Sequence, residues 1–263
     1  MDSAEQYYEA KAALEWQIEL GADESIGDVP LDRYELVVEV PKPKAAANSK
    51  AKPKAAAAPI PIVEVDAVAV AKAAAAGAAD LAGLEAALTA FELCEVKLGA
   101  RKTVFADGNP QARVMIITEA PDRDEDREGK PFVGQAGVLL DRMLAAIGMG
   151  RDGPDPASAV YIANIMPWRP PQNRDPSADE IAMMHPFVTR HIELAAPDVI
   201  VLMGNNPCQT MLGRKGISRM RGIWEEVLGR PALPMFHPAY LLRSPHAKRE
   251  AWADLLELKA RLT

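Results

Sequence analysis

The sequence predicts an α/β fold, a three-layer αβα sandwich around a central, mostly parallel four-stranded sheet. Two observations carry this reading. Four short apolar runs, at 114–117, 160–165, 199–203 and 233–236, have the length of strands. Between and after them lie stretches of helical character at 134–147, 179–195, 206–212 and 247–262, and strands that alternate with helices form parallel pairs covered on both faces. One more helix is expected ahead of the first strand, over 78–97, where Leu81, Leu84, Leu88 and Phe91 share a face. The folded unit is therefore expected to span 78–263.

The preceding residues have a different composition. Residues 1–40 hold eleven Asp or Glu against Lys11 and Arg33, and within them 4–20 place Tyr8, Leu14 and Ile18 at helical spacing before Gly21. This predicts an acidic segment with a short helix, suited to a mobile tail or to docking a protein partner. Residues 41–58 carry five lysines, no acid and no large apolar side chain, too little to offset the entropy of ordering. Residues 41–77 are accordingly expected to form a disordered Ala/Pro/Lys-rich linker.

The net charge of -7 argues at first against a nucleic-acid partner, but its distribution is uneven. Between Arg214 and Arg249 eight Lys or Arg face only Glu225 and Glu226, so one surface can attract phosphates, or simply be a solvated basic face. Two cysteines, Cys94 and Cys208, are too few for a disulfide framework or a four-thiolate metal site. The absence of a long apolar run and of a basic-then-apolar leader makes a cytoplasmic protein with no membrane association the expectation, here as a monomer.

Ligands of open α/β sheets sit beyond the carboxyl ends of the strands. Two post-strand segments fit that position. Thr118-Glu-Ala-Pro-Asp-Arg-Asp-Glu-Asp126, with Gly129-Lys-Pro-Phe-Val-Gly134 after it, follows the first apolar run, and His237-Pro-Ala-Tyr-Leu-Leu-Arg243 follows the last. Read alone, the crowded acids Asp122, Asp124, Glu125 and Asp126 suit a solvated charge run or oxygen ligation of Mg²⁺ in a phosphoesterase.

Taken with Val104-Phe-Ala-Asp-Gly-Asn-Pro110, Tyr161-Ile-Ala-Asn164, Arg169-Pro-Pro-Gln-Asn-Arg174 and Arg221-Gly222, these segments keep the order and spacing of a known family. Over about 91–263 the chain resembles the family 4 uracil-DNA glycosylases. The resemblance implies an enzyme of base excision repair that takes uracil-containing DNA as partner, flips the base out of the stack and hydrolyses its bond to deoxyribose. It places Glu125 as the carboxylate that orients water and His237 as a hydrogen-bond donor to uracil O2. It puts Glu119, Ala120, Phe132 and Asn164 around the base, Phe132 stacking on it unless it is an ordinary core residue. Leu241 or Leu242 would wedge into the vacated stack, with Arg243 and Lys248 on phosphates.

Two departures from the family pattern stand out. The four-cysteine iron–sulfur cluster that the resemblance implies would have its ligand positions at Phe91, Cys94, Trp168 and Met184, so three thiolates are missing and no cofactor is expected. The bulky side chains there are expected to form an apolar plug instead. Thr118 and Asp122 stand where the family has glycine, and an added carboxylate or a lost positive φ could weaken or redirect activity. A catalytically silent DNA-binding or damage-sensing protein is the rival expectation.

Overall fold

The computed structural model describes residues 65–263, together with Tyr7, Lys11, Leu14 and Glu15, which are helical. Residues 41–64 of the linker expected over 41–77, and the rest of the amino-terminal segment, lie outside the described residues. All that follows concerns 65–263.

Among the described residues the sheet has six strands, in the order β1 (Ala106–Gly108), β3 (Val160–Asn164), β2 (Val114–Thr118), β4 (Val199–Met203), β6 (Arg230–Met235) and β5 (Glu225–Val227). The expected four form its centre: β3 (Val160–Asn164), β2 (Val114–Thr118), β4 (Val199–Met203) and β6 (Arg230–Met235), all parallel. Every residue of β2, β3 and β4 is buried, as expected of parallel strands covered on both faces, and this is why they read as unbroken apolar runs. The count of four needs correcting, because β1 (Ala106–Gly108) and β5 (Glu225–Val227) add one antiparallel strand at each edge. Three residues with Asp, Gly and Glu among them carry no strand signal, and such short polar strands blunt a sheet's edges.

The strands' side chains divide by alternation. Met115, Ile117, Tyr161, Ile200 and Leu202 face one cluster with the helices Leu81–Ala90, Ala178–Ala195 and Asn205–Leu212. Val114, Ile116, Ile162, Val201 and Leu233 face the other, with Gln135–Ala146 and Lys248–Leu262. The three layers follow from this two-sided burial. No helix of the described residues is long and apolar enough to cross a membrane.

Two helical expectations change. Part of the expected linker is a helix, Ala67–Ala76, whose Asp66 caps the Val68 and Ala69 amides and whose buried Ala71 and Ala75 belong to the first cluster. Alanine richness reads as low complexity, but alanine is also the best helix former and lets helices approach closely. Arg190, on Ala178–Ala195, donates to the Ala78 carbonyl just beyond this helix. The helix expected over 78–97 ends at Ala90, where Phe91 turns to extended backbone, and resumes only as Val96–Gly99.

Candidate active site

A cleft of about 470 Å³ opens at the carboxyl ends of the parallel strands. Thr118 at the end of β2, Gly204 after β4 and His237 after β6 all line it, as do Glu119, Ala120, Asp122, Glu125 and Arg243. The two motif segments, more than a hundred residues apart, therefore share one site.

The acidic segment is an ordered helix, Arg123–Glu128, rather than a charge run. Asp122 caps it by accepting from the Asp124 and Glu125 amides, and Glu125 Oε2 accepts from the Asp122 amide at 2.8 Å, closing a capping box. Asp122 needs no positive φ, since its φ of -86° is ordinary extended backbone, and Thr118 is a regular strand residue. Glu125 Oε1 accepts from the Phe132 amide, so the carboxylate also folds the Gly129–Gly134 loop against the helix. Burial pushes the Glu125 carboxyl up to about 7, the Asp122 charge adding to it and the amide hydrogen bonds opposing it.

Phe132 sits at φ 53° and is buried. That left-handed conformation is strained for a bulky residue, and three contacts maintain it. Its amide is held by Glu125, its carbonyl accepts from Arg151 at 2.7 Å, and Gly137 lets the next helix pass where a Cβ would lie 1.8 Å from that carbonyl oxygen. The ring stacks on His237, with centroids 5.2 Å apart. Neither the Arg151 clamp nor the Gly137 approach was visible in the motifs; a glycine inside a helical pattern was the available signal for the second.

His237 accepts from the Ala239 amide at Nδ1, 3.1 Å, and its Nε2 lies 3.0 Å from Thr118 Oγ1. An acceptor Nδ1 puts the proton of the neutral ring on Nε2, so Nε2–H donates to Thr118. Burial, followed by the Arg243 charge, pulls the imidazole down to about 4, so it is neutral near pH 7. Thr118 pairs in register with Asn164, whose carboxamide is buried with neither Oδ1 nor Nδ2 hydrogen-bonded. A small cavity of about 20 Å³ adjoins Asn164, too small for a base.

The other expected residues separate. Glu119 is committed: its Oε1 accepts from the Asn205 amide, and Gly204, at φ 108°, is needed because a Cβ there would lie 2.3 Å from that oxygen. Burial raises its pKa. Ala120 lines the cleft. Leu241 is corrected from a wedge candidate to a core residue, 0% exposed against Phe236, Ala247 and Ala251, whereas its neighbour Leu242 is 41% exposed. Arg243 lines the cleft, whereas Lys248 is exposed and borders a separate pocket with Arg142 and Trp252.

The four acids do not converge on a cation. Asp126 accepts from the Arg101 amide at 2.8 Å and Asp124 pairs with Arg127 at 3.2 Å, and among the described residues no three His, Cys, Asp or Glu side chains are placed to hold a metal ion. The phosphoesterase reading has no geometry to support it.

A family model described as the uracil DNA glycosylase superfamily matches residues 105–256. The chain belongs to that superfamily. It is 37% identical over 154 residues to a type-4 uracil-DNA glycosylase of Thermotoga maritima, covering 57% of this chain and 77% of the relative. A type-4 uracil-DNA glycosylase of Archaeoglobus fulgidus is 38% identical over 160 residues, covering 57% and 77%. One from Saccharolobus solfataricus is 35% identical over 181 residues, covering 65% and 81%.

The residues at the positions implied for an iron–sulfur cluster do not fit one. Phe91, Cys94, Trp168 and Met184 are all buried in a single apolar cluster of this superfamily member. Phe91 packs edge-on to Phe187, Trp168 Nε1 donates to Thr103 Oγ1 at 3.1 Å, and burial pushes the Cys94 thiol up, away from the thiolate a cluster needs.

Proposed function

We propose that this enzyme is a uracil-DNA glycosylase, which hydrolyses the bond between uracil N1 and deoxyribose C1′ in base excision repair and uses no metal for the step. The observation that carries the reading is the Asn164 carboxamide: buried, paired in register with Thr118 at the strand ends, and without a hydrogen-bond partner. A buried polar group left unsatisfied is costly and calls for a partner. Uracil supplies one once the side chains between the cleft and Asn164 shift to admit it, its N3–H donating to Oδ1 and its O4 accepting from Nδ2, whereas the cytosine edge has the opposite sense at position 4.

The hydrolysis then runs as follows. The N1–C1′ bond breaks with its electron pair moving to N1, and the negative charge spreads onto O2, where the neutral His237 donates from Nε2. Each Glu125 oxygen has a lone pair beyond the one its amide bond uses, so the carboxylate can hold a water at the cleft wall. Water oxygen bonds to C1′ and its proton passes to Glu125, then to solvent, while the uracil anion takes a proton from solvent. An abasic sugar and free uracil result. Leu242 fills the vacated stack, and Arg243 and Lys248 bind flanking phosphates.

The test is release of uracil from a labelled single-uracil oligonucleotide, read as strand breaks after alkali, in the presence of EDTA. The native protein should cut, with Glu125→Ala and Asn164→Ala reduced by about 10²-fold or more. DNA binding without any cleavage by the native protein would select the catalytically silent reading instead.

A further inference from the structure

Thr118 is one of the residues that depart from the family resemblance, and its hydroxyl is built into the site. It is buried, ends β2, lines the same cleft as His237, and accepts the Nε2–H of that ring at 3.0 Å. Its main-chain oxygen is taken by the Ile165 amide at 2.9 Å, which fixes the backbone at that point. A threonine hydroxyl has one proton and two lone pairs, and a β-branched side chain in a strand has little χ1 freedom. One lone pair serves His237, and among the described residues the proton is given to no acceptor. A fixed, buried O–H without an acceptor, next to a fixed N–H donor, is an incomplete arrangement that a ligand oxygen completes.

We propose that Thr118 O–H and His237 Nε2–H together form a two-donor cradle for the O2 oxygen of the departing base, making Thr118 a catalytic residue. This rests on the glycosylase reading above. Donors 3.0 Å apart can converge on one oxygen, the His237 N–H being shared between Thr118 Oγ1 and O2 once the base is bound. In the bound base O2 is a carbonyl; as the N1–C1′ bond breaks, the electron pair left on N1 delocalises onto O2, and both hydrogen bonds strengthen. Interactions that grow only as charge develops lower the barrier without tightening ground-state binding. Asn164, opposite Thr118 in the sheet, holds the other edge of the same base. A glycine at this position would leave His237 as the lone donor.

The experiment compares native protein, Thr118→Val and Thr118→Ser in single-turnover excision from two single-stranded oligonucleotides, identical except for uracil or 5-fluorouracil at one position. Dissociation constants are measured alongside. Val keeps the shape of the side chain and removes the hydroxyl. With uracil, Thr118→Val should lower the saturated rate roughly 10²-fold with little change in affinity, the scale of losing one such donor, and Thr118→Ser should recover most of it. With 5-fluorouracil the Thr118→Val defect should shrink several-fold, because the fluorinated anion is the more stable leaving group and needs less hydrogen bonding. A defect of equal size on both bases would mean that Thr118 only holds the site together, and the cradle would be wrong; full activity of Thr118→Val would overturn it too. If Thr118→Val does not fold, Thr118→Ala on the same two substrates decides by the same criterion. A native protein that releases neither base sinks the glycosylase reading itself, and the cradle with it.

Discussion

The chain departs from its family's pattern in two regions, and the departures have opposite characters. On one face of the sheet Phe91, Trp168 and Met184 join Cys94 in an apolar cluster, so side chains that cannot supply the thiolates of an iron–sulfur cluster fill space instead. At the strand ends Thr118 and Asp122, where the family resemblance implies glycine, are both hydrogen-bonding members of the site: Thr118 accepts from His237 and Asp122 caps the helix that carries Glu125. A role that consists of occupying volume can pass to any side chains of suitable bulk, because packing rewards shape rather than chemical identity. Beside the cleft a new polar side chain is instead drawn into hydrogen bonds, Asp122 with the helix amides and Thr118 with His237 through one lone pair.

Emptying the apolar region should have the largest consequence for stability and the least for chemistry. Trp168→Ala should lower unfolding free energy by about 3–5 kcal/mol in denaturant titration, the usual range for removing a buried aromatic ring, and Phe91→Ala should behave alike. Uracil excision per folded molecule should stay near native. Lost excision at unchanged stability would show that this region serves the chemistry and not merely the packing.

A second pair of variants contrasts neighbours in one helix, Pro238–Arg243. Leu241→Ala removes a side chain that is 0% exposed and should cost about 2–5 kcal/mol of stability. Leu242→Ala, at a position 41% exposed, should change stability by less than about 0.5 kcal/mol. Its effect should appear in excision from duplex DNA and be smaller on single strands, where no stack has to be held open. Equal excision on duplex DNA by native protein and Leu242→Ala would remove the wedge.

These contrasts also mark what the sequence could and could not disclose. Buried parallel strands are continuous apolar runs, so β2, β3 and β4 were legible, while β1 and β5 were too short and polar to be seen. The helix Ala67–Ala76 was hidden because the same alanines suit a linker and a helix. The motifs located Glu125, Asn164 and His237 at the strand ends, yet could not say that Glu119 is committed to the Asn205 amide or that Leu241 is core. The bond between His237 and Thr118 joins residues 119 apart in sequence, and no local pattern records a pairing set by the sheet's topology.

The acid–base assignment predicts a pH profile. With its carboxyl raised to about 7, Glu125 is a competent base only when ionised, so the single-turnover rate should fall as pH drops below about 7, by up to tenfold per unit. His237, held down at about 4, stays neutral over that range and adds no step of its own. Glu125→Gln should be slow and flat across the same interval. A native profile without an acidic limb would take Glu125 out of the role of base.

The smallest expected effect joins the departure at Asp122 to that profile. Replacing an N-cap Asp by Gly costs only a few tenths of a kcal/mol, so Asp122→Gly should fold normally. The backbone amide of residue 122 still reaches Glu125 Oε2, but the negative charge that helps raise the Glu125 carboxyl is gone. Glu125 should then ionise more readily, and the acidic limb should move to lower pH by less than about one unit, with the rate at high pH little changed. A limb that does not move would mean that the Asp122 charge is not felt at the base. A large gain in rate at high pH would mean instead that this carboxylate holds back the chemistry, and the hydrogen bonds it makes would be compensation for a cost rather than part of a working site.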